Sequence, residues 1–148
     1  MLLLLQGRIQ SRSVLCKKHI VHDATCEVCN GNEETPDHII GGYAIDVSFW
    51  QRFNLNSMVG NQHQNLPSVS PPPGIPDDEF PAFLALSCWE LWKVRNAKVF
   101  RQENVSVVQL LNHCKSTAQL WSFRFSAKKR PIAQSWCSYF EMARSGQG

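Results

Sequence analysis

The chain has 148 residues, of which 43% are apolar and 18% charged, and its formal net charge is +3. This length allows one ordinary domain or two small ones, and this composition excludes an intrinsically disordered or collagen-like chain. The positive charge is mild, so it excludes a dedicated nucleic-acid-binding arm and indicates only a weak preference for polyanions.

The start of the chain and its cysteines indicate a cellular setting. Residues 2–5 form an apolar run too short for a signal peptide, and no stretch approaches the ~18 apolar residues of a membrane span. We therefore predict an intracellular protein, nuclear or cytoplasmic, that is neither secreted nor membrane-bound. In that reducing setting six cysteines do not predict a disulfide framework. Because the apolar run has no lead-in, we also expect a truncated chain, cut from a longer protein.

Residues 1–56 are predicted as a small zinc-finger-like helical unit. Two short helices are expected within residues 1–20, and the polar segment after them carries Cys26 and Cys29 in a C-x-x-C motif. Two thiols at this spacing can bind one metal ion from a tight turn.

A helix start follows at T-P-D-H. Thr35 is a suitable N-cap and Pro36 a suitable first helical residue. The first turn would then direct His38 back toward the two thiols as a third metal ligand. The glycines at 41 and 42 predict a kink shortly afterwards.

Residues 57–79 are predicted to be a linker, because their S-V-S-P-P-P-G-I-P run favours extended polyproline conformation. Residues 80–143 are predicted to be helical. Apolar residues recur at intervals of three and four through residues 81–100 and again through 110–121, up to Leu120 and Trp121.

These two helices are predicted to form an antiparallel hairpin. The second begins at a capping box made by Ser106 and Gln109. Pro131 would open one further helix, and residues 144–148 would form a disordered tail. The chain is thus predicted to be mainly α, with a zinc-finger-like helical unit followed by a helical hairpin and an extra helix.

Side chains of the helical region have two interpretations. The tryptophans are expected to pack in the core, with base stacking as the alternative. Cys88, Cys114 and Cys137 are expected to be small buried apolar residues. Seven cations are candidates for nucleic-acid binding, with a solvated helix face as the alternative: Lys93, Arg95, Lys98, Arg101, Lys128, Lys129 and Arg130.

Two parts of the chain, residues 7–53 and 84–140, resemble a known family. The matching text is G-R-I-Q-S-R-S-V-L, C-E-V-C, E-E-T-P-D-H-I-I and F-W, and later W-E-L-W-K-V-R-N-A-K-V-F and W-C-S-Y-F. This text is similar to the zinc-binding domain that follows the reverse transcriptase in plant non-LTR retrotransposon polyproteins, with the helical tail of grass members. The resemblance implies a polymerase upstream of Met1.

The resemblance also implies a Zn²⁺ cofactor and its ligands. The family's four ligands would fall on Cys26, Cys29, His38 and position 43, which is Tyr43 here, where the family pattern has cysteine. A neutral phenol with a pKa of ~10 is a poor zinc ligand beside thiolates. Substitutes for this missing fourth ligand are left open: His22, His19 or Cys16.

Other readings of the motif are weaker. A catalytic zinc would need a general base placed for the metal, and a thioredoxin-like motif would need a βαβ pattern around it. Neither is evident. Two thiols without a metal are the remaining alternative.

We therefore predict no enzyme but a non-catalytic, zinc-binding-type accessory domain of a reverse transcriptase, derived from a retrotransposon. Its expected partners are RNA or DNA and the upstream polymerase. Two alternatives stay open. One is a helical protein–protein interaction module in which the helices of residues 80–143 present a tryptophan-rich groove or associate with a second copy of the chain. The other is a functionless relic of a retroelement.

Overall fold

Helices make up most of the described chain. The computed structural model describes residues 11–26, 33–58, 71–72 and 75–145. The helices are α1 (Arg12–Lys17), α2 (Pro36–Gly41), α3 (Ala44–Arg52), α4 (Phe80–Arg101), α5 (Val107–Ser122) and α6 (Arg130–Arg144), with a 3₁₀ turn at Asn56–Met58. In these ranges the only β-type pairing is a bridge between Thr25 and Glu33. The mainly α fold class is confirmed.

Helix α2 begins as its sequence predicts. The Thr35 hydroxyl accepts a hydrogen bond from the backbone N–H of His38 at 3.1 Å, and Pro36 opens the helix. The helix ends at Gly41, and the chain turns there into α3. A Cβ atom on Gly42 would lie 2.2 Å from Nδ1 of His38 and 2.8 Å from its carbonyl oxygen. Only glycine fits at this corner.

Helices α4, α5 and α6 form an antiparallel arrangement. Thr117 of α5 donates a hydrogen bond to Glu90 of α4. Between α5 and α6, the Cys137 thiol of α6 lies 3.6 Å from the carbonyl oxygen of Lys115 in α5. The predicted capping box at the start of α5 is present, because Ser106 and Gln109 exchange side-chain-to-backbone hydrogen bonds of 2.9 and 3.1 Å.

One hydrophobic core contains residues from both sides of the predicted linker. Phe53, just after α3, meets Phe83 of α4 with ring centroids 5.7 Å apart, and Phe83 stacks on Phe140 of α6 at 5.1 Å. Arg52 also donates a 2.6 Å hydrogen bond to the Ala143 carbonyl at the end of α6. The linker itself lies mostly outside the described residues, and the predicted division at 57–79 stays a prediction.

The burial pattern of the hairpin differs from the prediction at two positions. Phe100 is 70% exposed and Leu120 is 64% exposed, although both were expected on apolar helix faces. Leu120 follows the buried Ala118 by two residues, which is a rotation of about 200° around the helix, so it faces away from the core. Cys88 and Cys114 are buried as predicted, and Cys137 is half-buried.

Two further outcomes concern the ends of the chain and membranes. Residues 1–10 of the segment in which two short helices were expected, and residues 146–148 of the predicted tail, lie outside the described ranges. Among the helices that the structure describes, none is both long and apolar enough to cross a membrane.

Candidate functional site

Three of the four positions that the resemblance assigns to zinc lie together. The hydroxyl oxygen of Tyr43 is 3.1 Å from Sγ of Cys26, and the ring of His38 meets the Tyr43 ring edge-on at a centroid distance of 4.8 Å. All three side chains are buried. Cys29 lies outside the described residues, and His22, the candidate substitute, is exposed. We call Cys26, Glu34, His38, Tyr43 and Arg95 the Tyr43 cluster.

Local structure brings these positions together. The bridge between Thr25 and Glu33, with a 2.8 Å hydrogen bond from the Glu34 N–H to the Ala24 carbonyl, returns the chain from Cys26 to the start of α2. The corner at Gly42 then places Tyr43 beside His38. The Tyr43 N–H donates to the Asp46 carboxylate at 2.9 Å, which fixes the start of α3.

The centre of the cluster is a buried ion pair that the sequence did not reveal. Glu34 is fully buried and Arg95 is 5% exposed. Nε of Arg95 donates to Oε2 of Glu34 at 3.0 Å, and Nη2 donates to Oε1, so the pair is bidentate. Glu34 also accepts from the Arg12 N–H at 2.9 Å and from the Tyr43 hydroxyl at 3.1 Å.

One sequence signal could have identified Arg95 as a buried side chain. Arg95 follows Leu91 by four residues and Cys88 by seven, which places it on the buried stripe of α4. An arginine in such a stripe needs a buried partner. The sequence does not identify that partner, because Glu34 precedes a helix start and resembles an ordinary loop carboxylate.

Burial and hydrogen bonding set the charges in the cluster. Burial alone would raise the pKa of Glu34, but the hydrogen bonds from Arg95 and from the Arg12 backbone lower it below its usual value. Burial raises the pKa of Tyr43, and the contacts with Cys26 and Glu34 raise it further. Tyr43 is therefore a neutral phenol that donates to a carboxylate.

His38 is the other titratable ring in the cluster. Burial lowers its pKa, and the negative charge of Glu34 only partly opposes this effect. The imidazole is therefore neutral at pH 7. The cluster has one full ion pair, Glu34 with Arg95, and two neutral rings beside it.

The described donors do not by themselves form a tetrahedral zinc centre, and the candidate ligand Cys29 lies outside the described residues. Zn–S and Zn–O distances of about 2.3 and 2.0 Å separate a sulfur and an oxygen ligand by about 3.5 Å, but the sulfur of Cys26 and the oxygen of Tyr43 are 3.1 Å apart, at hydrogen-bond distance. The Tyr43 phenol is neutral, and both oxygens of Glu34 are already bound. Within the described ranges, no group of three or more His, Cys, Asp or Glu side chains is arranged to hold a metal ion.

The candidate nucleic-acid-binding cations fall into three groups. Arg95 is inside the protein, engaged with Glu34. Along α4 and just after it, Lys93 lies 3.0 Å from Glu90, Lys98 donates to Asn104 at 2.7 Å and Arg101 pairs with Glu103 at 3.1 Å. In the third group, Lys128 and Lys129 lie in the exposed turn before α6, and Arg130 is the exposed first residue of that helix.

The two exposed groups are far apart. Lys98 and Arg101 lie near the start of α5, whereas residues 128–130 lie near its end, where Nε of Arg130 donates to the Ser122 carbonyl at 3.3 Å. Helix α5 has 16 residues and is therefore about 24 Å long. The basic residues thus form two separate surfaces at the two ends of the helix.

A cleft lies between α4 and the start of α5. Its volume is about 160 Å³, below the roughly 300 Å³ at which ordinary ligand pockets begin. Its charged lining is largely paired within the protein, as Lys93 with Glu90 and Arg101 with Glu103. The cleft therefore offers little to a charged ligand.

Comparison of the chain with protein-family models, with curated proteins and with solved structures gave no match.

Proposed function

We propose that the chain is a non-catalytic accessory domain of the reverse-transcriptase zinc-binding type, derived from a plant retrotransposon polyprotein. The observation that supports this proposal is that positions 26, 38 and 43 lie together in the structure. These are three of the four positions at which that family has its zinc ligands, and the fourth, Cys29, lies outside the described residues. The domain acts inside the cell, next to the polymerase of its parent protein.

The chemistry of the cluster supports a role without catalysis. A general base or nucleophile must reach its substrate, whereas the five side chains of the Tyr43 cluster are each at most 8% exposed. The one ionised acid, Glu34, is held by Arg95 and by two further donors. The cluster therefore suits a structural role.

Nucleic acid is the partner that we propose for the surface. Lys128, Lys129 and Arg130 are consecutive and exposed, and no acidic side chain pairs with them within the described residues. Three adjacent cations can contact the phosphates of one single strand. Phe123 is 78% exposed and lies in the same turn region, where it could stack on a base.

We expect the protein to bind a fluorescein-labelled oligouridine with an affinity that falls as salt rises. Replacing all three cations by glutamine (Lys128→Gln, Lys129→Gln, Arg130→Gln) should weaken binding and reduce the slope of log affinity against log salt by roughly 2, because three phosphate contacts are lost. Fluorescence anisotropy at several salt concentrations measures both quantities.

A matched control is the Lys17→Gln, Lys18→Gln variant, which removes exposed cations from a different surface. It should bind like the wild type. The absence of any binding at low salt, or an equal loss in the control variant, would count against a nucleic-acid surface at residues 128–130.

A further inference from the structure

We propose that the Tyr43 cluster holds separate segments of the chain together, as a structural metal ion would, so that the chain folds without zinc. In a structural zinc site, one ion joins ligands from separate segments of a small unit. Here a buried carboxylate does the same with hydrogen bonds. The inference does not depend on the proposed origin or on RNA binding, because contacts within the chain alone carry it.

Glu34 is the hub of this crosslink. Its two oxygens accept four hydrogen bonds: two from the Arg95 guanidinium in α4, one from the Arg12 N–H at the start of α1 and one from the Tyr43 hydroxyl at the start of α3. These donors come from three separate helical elements. Bonds to an ionised acceptor are roughly twice as strong as neutral ones, so one carboxylate holds the three elements together.

Tyr43 extends the crosslink to the C-x-x-C segment. Its hydroxyl donates to Glu34 and lies 3.1 Å from Sγ of Cys26, so its oxygen can accept from the thiol. A tyrosine side chain is longer than a cysteine side chain by an aromatic ring, which lets the hydroxyl at this position reach both partners. Tyr43 is therefore the residue that connects Cys26 to the ion pair.

The direct contact between Cys26 and Tyr43 is also shorter than the usual spacing of two ligands on one zinc ion. The distance of 3.1 Å between sulfur and oxygen is shorter than the separation of about 3.5 Å for two ligands of one tetrahedral zinc. Gly42 supports the arrangement, because a side chain there would collide with the His38 ring that packs against Tyr43. The absence of a side chain at Gly42 therefore leaves space for the His38 ring beside Tyr43.

Urea unfolding of the Tyr43→Phe variant in the presence of a chelator tests the inference. Phenylalanine keeps the ring and removes the hydroxyl, which leaves Cys26 without this contact and Glu34 with one donor fewer. We expect the folding equilibrium constant to fall roughly ten- to a hundredfold. The chelator should leave the unfolding of the wild type unchanged.

Tyr139→Phe is the matched control. Tyr139 is a half-buried tyrosine on α6 whose ring packs on Phe53, and no hydrogen bond of its hydroxyl is found among the described residues. Loss of the Tyr139 hydroxyl should change the folding equilibrium constant by less than about threefold. The inference is overturned if Tyr43→Phe is no more destabilising than this control, or if the chelator unfolds the wild type.

Discussion

Replacing Arg95 by methionine is expected to destabilise the folded chain by about 3–5 kcal/mol, because it leaves the buried carboxylate of Glu34 without its cation. Methionine keeps much of the aliphatic length of arginine, so lost packing contributes little. The free energy of unfolding from urea titrations followed by circular dichroism gives the effect. This change should be among the most damaging single substitutions in α4.

Arg101→Met is the control within the same helix. Arg101 pairs with Glu103 at 3.1 Å, but both side chains are more than half exposed. An exposed pair of this kind contributes about 0–1 kcal/mol. If the two arginine variants lose the same stability, the buried pair is not the structural hub that the contacts indicate.

A double variant measures how much of the lost stability comes from the interaction between Glu34 and Arg95. When Glu34→Met is combined with Arg95→Met, no uncompensated charge stays buried, so the double variant should be clearly more stable than the sum of the two single losses implies. Strict additivity of the two losses would contradict direct coupling between these side chains.

Phe83→Ala is expected to cost about 3–5 kcal/mol and to weaken the whole described fold in one transition. Phe83 is fully buried and contacts rings from the end of α3, from α4 and from α6: Phe53, Phe80, Trp136, Tyr139 and Phe140. Its loss therefore opens a cavity where the N-terminal and C-terminal parts of the chain meet.

Agreement between the unfolding midpoints reported by two spectroscopic probes tests whether the described chain has one shared core. Tryptophan fluorescence and far-ultraviolet circular dichroism should report the same unfolding midpoint in the wild type and in the variant. Phe123 is 78% exposed, so Phe123→Ala should change the free energy of unfolding by no more than about 0.5 kcal/mol with either probe. Two separate transitions, with only one moved by Phe83→Ala, would favour two independent units.

Local signals in the sequence predicted the helices well. The Thr35 cap and the Ser106 capping box depend on residues at most three positions apart, so they can be read without knowledge of the fold. Apolar spacing also located α4 and α5. It was wrong at Leu120, which lies two residues after Ala118 and so on the opposite side of α5, and at Phe100, which is exposed in the last turn of α4.

The centre of the candidate site needed the tertiary structure. Glu34 and Arg95 are 61 positions apart, and no spacing rule connects a loop acid to a helix cation across a predicted linker. The sequence did group Cys26, Cys29 and His38 as candidate metal ligands, and the family resemblance added position 43 as the missing fourth ligand. From the sequence, Tyr43 was only a poor zinc ligand. The contacts of Tyr43 with Cys26 and Glu34 are evident only in the structure.

The zinc content of the purified wild type beside that of Tyr43→Cys tests most directly whether a hydrogen-bonded cluster has replaced a metal. Both proteins are folded with zinc present, passed through a desalting column and analysed for metal. The wild type should retain no stoichiometric zinc, and Tyr43→Cys, which adds a thiol at the fourth ligand position that the resemblance implies, should retain about one ion per chain. Stoichiometric zinc in the wild type that is lost on Cys26→Ser would contradict the account.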